Sequence, residues 1–159
     1  MRRGGGALVE TAMVTPILLA LLIGTVQLGQ IAYTYYMLEK LMFNLARYLG
    51  TQTGVNFCNG QDPQIQAAIN YALTGSTDSS QNPIVSGLTP SMFQVTAESQ
   101  PGTMCSCSAS GCDASQGGLP PSFVVVSLTG GYPVQPIFWG FTVNSFTLNP
   151  MVRVPYEGN

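Results

Sequence analysis

Residues 8–49 read LVETAMVTPILLALLIGTVQLGQIAYTYYMLEKLMFNLARYL, and no charge falls between Glu10 and Glu39. As an α-helix the uncharged stretch 11–38 spans roughly 42 Å at about 1.5 Å per residue, more than the hydrocarbon thickness of a bilayer. It therefore reads as a membrane helix, entered through Arg2, Arg3 and the glycines at 4–6. Glu10 stands at its edge. A carboxylate beside a lipid-immersed helix is unfavourable without a partner, so this acid is a functional residue by default.

Composition bounds the remainder. The chain has 159 residues, 45% hydrophobic and 8% charged, with a net charge of −2. That accommodates one membrane helix and one further domain of about 100 residues. No basic run exists beyond Arg2 and Arg3, which excludes the electrostatic footprint of a nucleic-acid binder. Because those arginines flank the short N-terminal side, the positive-inside rule places the N-terminus in the cytoplasm and the C-terminal domain in the periplasm or outside. Four cysteines suit that oxidising side, where thiols staple small domains. A cleaved secretory signal also begins with basic and apolar residues. Against it stand Glu10, an apolar run longer than the usual 7–15 residues, and helical patterning that continues without a small-residue cleavage site.

The pattern continues as Leu28, Ile31, Tyr35, Leu38, Met42, Leu45 and Leu49, a single apolar stripe at alternating spacings of three and four. One helix from about Leu8 to Leu49 follows, apolar on all sides in its first half and one-sided in its second, where it would dock on its own domain. Gly50 reads as its stop. Pro16 removes a backbone donor, so a kink or melted turn is expected near Met13 to Pro16, although membrane helices tolerate Pro16 and Gly24 without functional meaning.

Beyond Gly50 the composition turns polar. Asp62 before Pro63, an apolar face of Ile65, Ala68, Ile69, Ala72 and Leu73, and a closing Gly75 predict a second helix over Pro63 to Thr74, lying on a sheet or on the long helix. Ser76 to Pro90 reads as a loop. Phe93 to Ser99, Phe123 to Thr129 and Phe146 to Val154 are β-branched and aromatic, as expected of an antiparallel sheet, and Pro150 makes the last strand an edge or a bulged one. Between them, Tyr132, Ile137, Phe138, Trp139 and Phe141 form an apolar connection. It reads first as core over the sheet and second as a contact surface for another subunit.

Cys105, Cys107 and Cys112 cluster, with Cys58 distant, and sequence cannot choose among the three possible pairings. A bond from Cys58 into the cluster would close a loop of about 50 residues, contribute about 4 kcal/mol, and tie the end of the long helix to the sheet. A four-thiolate zinc site is the alternative, disfavoured by the lack of paired C-x-x-C hooks, so no metal is expected.

Gly5, four intervening residues and Glu10 reproduce a prepilin spacing, and RRGGGALVETAMVTPILLALLIGTVQLGQ resembles the start of TadE-like proteins, minor pseudopilins of tight-adherence (Flp) pili. The Cys-x-Cys with a later Cys, the Phe-Val-Val-Val strand, the Tyr-Pro turn and the closing strand with Arg153 resemble the C-terminal half of the same family more loosely. The resemblance implies cleavage between Gly5 and Gly6 by a prepilin peptidase. Thr11 departs from the aromatic residue that commonly follows the glutamate in the family. Cleavage would expose an ammonium on Gly6, and pairing Glu10 with it, or with a neighbour's, costs far less than leaving either charge alone. Glu10 would then set subunit register, since a mismatch costs about 3–5 kcal/mol.

Catalysis finds no arrangement to use: the chain lacks histidine, has one lysine, and scatters seven carboxylates without suggestive spacing. Asp78 and Asp113 read as solvated loop residues. The expected molecule is α+β and pilin-like. It comprises a leader over 1–5, a membrane and assembly helix over 6–50, and a disulfide-stapled periplasmic domain over 51–159 with a short helix and a small antiparallel sheet. It would sit in the inner membrane with a single pass and pack against other pilin subunits or its own copies, reaching the exterior in an assembled pilus. No enzymatic activity, cofactor or small-molecule substrate is expected. A membrane-anchored periplasmic binding domain and a secreted module are the rival readings.

Overall fold

The 47 residues of α1 (Gly5–Thr51) form one unbroken helix, about 70 Å long, in a computed structural model that describes residues 5–76, 82–107, 112, 118–135, 137–138, 141–142 and 145–158. The helix continues through Pro16, so of the expected kink or melted turn at Met13 to Pro16 the melted turn does not form. There the Thr15 hydroxyl donates to the Thr11 carbonyl at 2.7 Å.

Only the second half of α1 docks. Leu38, Leu41, Met42, Leu45, Ala46 and Leu49 enter the hydrophobic core at helical spacing. The expected stripe is thereby shortened, because Leu28 is 68% and Tyr35 42% exposed: they lie at the margin of the face on which Gln27, Ile31 and Thr34 are half-buried. Gly50 is not a stop either. It lies inside the helix and lacks the left-handed conformation of a glycine cap. Its carbonyl instead accepts the Glu157 and Gly158 N–H groups at 2.8 and 2.9 Å, and a Cβ there would stand 3.1 Å from the Pro155 carbonyl. Gly50 is the point where the C-terminal tail crosses close to the rod.

The second helix, α2 (Pro63–Thr74), has the predicted bounds. Asp62 caps it by accepting the Gln64 N–H at 2.8 Å, and Gly75 ends it with φ 75°, a conformation open to glycine without steric penalty. Its five predicted apolar residues are all buried, packed with α1 in the core.

Four strands make the main sheet: β1 (Phe93–Gln100), β2 (Thr103–Met104), β3 (Phe123–Leu128) and, last in the chain, β8 (Met151–Pro155). They are antiparallel in the order β2-β1-β3-β8. Val95, Val124, Val126 and Val152 turn toward the helices, with Val126 opposite both Val95 and Val152 in register. A 3-10 turn, Pro90–Met92, leads into β1.

Where one strand was expected over Phe146 to Val154, two form. The strand β7 (Phe146–Leu148) pairs with β4 (Tyr132–Val134) in a small separate sheet, and β8 joins the main one. Asn149 and Pro150 lie between them outside any strand, as expected of a residue without a ladder donor. β5 (Ile137–Phe138) and β6 (Phe141–Thr142) pair with each other. Of the apolar connection, Tyr132 packs partly buried against the core, and Trp139 lies outside the described residues.

Two disulfides, Cys58–Cys107 and Cys105–Cys112, use all four cysteines. The first joins the segment between the two helices to the end of the sheet. No thiolate is left for the zinc alternative.

Candidate functional site

The rod begins at Gly5, so Gly6 and Glu10, four residues apart, share one face of its first turns. Both are exposed. Around and beyond them Val9, Met13, Ile17, Leu18, Leu21 and Leu22 are each more than half exposed, and the helix is apolar all round here. α1 is long and apolar enough to cross a membrane. Helices of this composition are at home only in lipid or against like helices.

Hydroxyls along the rod are spent on it. Thr15, Thr25 and Thr34 donate to the carbonyls of Thr11, Leu22 and Gln30 at 2.7–2.9 Å, which spares an apolar environment from unsatisfied donors.

The free length ends at a polar collar. Gln27, Gln30 and Thr34 meet Tyr132, Pro133, Val134 and Gln135 around a cleft of about 270 Å³, so the β4 end of the domain stands beside the rod at this level. Below the collar, residues 6–26 rise about 31 Å, close to the thickness of a bilayer core. Just above it Tyr33, Tyr35 and Tyr36 are 65, 42 and 60% exposed, in the manner of aromatic residues at a membrane boundary. Sequence reading treated 11–38 as one uncharged block and missed this division; Gln27 and Gln30, polar and three apart in an apolar run, were the available signal.

The other predicted residues lie elsewhere. The cysteines lie beyond α1 in two disulfides, and Asp78 and Asp113 lie outside the described residues. An unforeseen feature is Glu98, 7% exposed in β1, held by Arg153 of β8 at 2.9 Å. Among the described residues no group of three or more metal-ligating side chains gathers.

Residues 5–55 match the family model described as TadE-like protein. The matched stretch is the whole of α1 plus the turn that follows. It does not extend to residues 105–154, where the looser resemblance was read. No curated protein and no solved structure matches the chain.

Proposed function

We propose that this chain is a pilin-like subunit of a tight-adherence pilus, held in the inner membrane by residues 6–26 and built into the fibre by packing of that same stretch against sister helices. The observation that carries the reading is the coincidence of the TadE-like match over residues 5–55 with a helix whose first half supplies no buried core residue among the described residues. A rod that stabilises no intramolecular core is available for intermolecular packing. Lipid and protein are both apolar, so exchanging one for the other yields little hydrophobic gain, and shape and polar pairing decide the outcome.

Cleavage after Gly5 would free the Gly6 ammonium one turn from Glu10, and the carboxylate, paired with it or with a neighbour's, would fix axial register. The domain beyond residue 51 would face the periplasm, and the surface of an assembled fibre. N-terminal sequencing of the mature chain tests this directly. Gly6 is expected; an uncut Met1 would mean an anchor, and a start well downstream a secreted module. Glu10→Ala should leave membrane insertion intact and abolish incorporation into fibres, and normal piliation in that mutant would refute the register role.

A further inference from the structure

The two edges of the main sheet are built differently. At the β8 edge, Pro150 precedes the strand, Pro155 ends it and Arg153 stands in the middle, devices that discourage strand addition. At the opposite edge β2 covers only Glu98 to Gln100 of β1. Between Phe93 and Thr96 that edge has no charge, no proline and no pairing strand among the described residues.

Main-chain direction along β1 follows from the hydrogen bonds on its two sides. The Thr129 N–H donates to the Met92 carbonyl at 2.8 Å and the Ser122 N–H to that of Glu98 at 2.9 Å, whereas the Cys105 N–H donates to Ala97 on the other side at 2.9 Å. Even-numbered residues therefore turn their main chain to β3 and odd-numbered ones to the free edge. The Phe93 N–H is taken by the Pro90 carbonyl. That leaves the Val95 N–H and C=O and the Phe93 C=O directed outward, into a groove of about 580 Å³ bounded on its far side by Ile65, Gln66 and Ile69 of α2. Among the described residues no charged side chain lines the groove, whose walls are aliphatic, amide and hydroxyl with the ring of Phe93.

We infer that this groove receives an extended, uncharged polypeptide segment of a partner protein, added as a strand to the free edge of β1 beside α2. The open main-chain groups supply affinity, and alternate side chains of the guest meet the aliphatic floor and the amide rim. A charged residue in the guest would lose its hydration with no counter-charge to meet. The inference stands whether or not the rod assembles into a fibre.

The test uses the full chain in detergent micelles and a capped Thr-Val-Thr-Val-Thr peptide as probe, with residue-resolved amide exchange as readout. Saturating peptide should slow exchange of the Val95 amide by roughly ten-fold or more. The same peptide N-methylated at its valines should have no effect, nor should one with its central threonine replaced by glutamate. Val95→Pro removes the outward donor together with part of a side chain that packs on the core, so it should abolish binding and lower the unfolding midpoint somewhat, whereas the N-methylated peptide removes the same bond with the chain itself unaltered. Equal protection by the N-methylated peptide, or none by the parent, would overturn the inference. So would a Val95 amide already protected without peptide, whether by the chain's own segments or, if protection rises with protein concentration, by a second copy.

Discussion

The guanidinium of Arg153 grips the buried carboxylate of Glu98 across the intervening strand, with Nε 2.9 Å from Oε2 and Nη2 3.1 Å from Oε1. The Gly102 N–H completes the carboxylate's shell by donating to Oε2 at 3.0 Å. The partners are unequal, because the Glu98 side chain is 9% exposed and that of Arg153 40%. Arg153→Ala strands a buried charge and should cost about 2 kcal/mol, between the limits for surface and buried pairs. Glu98→Gln should cost less, since the freed guanidinium can turn to water. Denaturant unfolding of both variants checks the order.

The disulfides differ in the loops they close, with sequence separations of 49 for Cys58–Cys107 and 7 for Cys105–Cys112. In the chain-entropy account these contribute about 4 and about 2.5 kcal/mol respectively. Replacing Cys58 and Cys107 by serine should therefore lower the thermal midpoint more than replacing Cys105 and Cys112. The reverse order would mean that the long bridge strains the native domain.

Gly50→Ala and Gly29→Ala form a matched pair. Both residues lie in α1, where alanine gains up to about 1 kcal/mol of helix propensity. A Cβ at Gly29 meets nothing within 4 Å, whereas at Gly50 it comes 3.1 Å from the Pro155 carbonyl, a backbone atom of a strand fixed on its other side. Gly29→Ala should be neutral or stabilising in the isolated chain, and Gly50→Ala destabilising by about 1 kcal/mol net.

Tyr156 ties the C-terminal tail to the end of the rod by donating from its hydroxyl to the Gln52 carbonyl at 2.7 Å. Burial raises its pKa above the ordinary 10.0. The folded state thus holds the phenolic proton more tightly than the unfolded one, and its stabilisation is full below pH 10 and lost as pH rises through the higher folded value. Tyr156→Phe should cost about 1 kcal/mol at neutral pH through the missing hydrogen bond and flatten the alkaline limb of a stability–pH profile.

Local signals carried the sequence reading where they were self-contained. Asp62, Pro63 and Gly75 specify α2 to the residue because cap, first turn and left-handed exit are decided within a few positions. Gly50 misled because a helix stop and a close crossing both call for a missing side chain, and only the distant Pro155 tells them apart. The stripe through Leu28 and Tyr35 failed for a similar reason, since periodicity marks a face but not where the covered part of that face ends. Pro150 marked the last strand as an edge or a bulged one; β8 is an edge of the main sheet, and Pro150 is in addition the boundary between two sheets. The Glu98–Arg153 pair and the free edge of β1 both depend on strand order, which no local window contains.

Among the described residues, every one that α1 gives to the core lies at or beyond Met37. Substitutions on the exposed faces of the rod below the collar should therefore leave the head's thermodynamics little changed, and substitutions in the head leave the lipid-sized portion of the rod untouched. Two selective histories can run along one continuous backbone, the stem constrained by its neighbours and the head free to diversify.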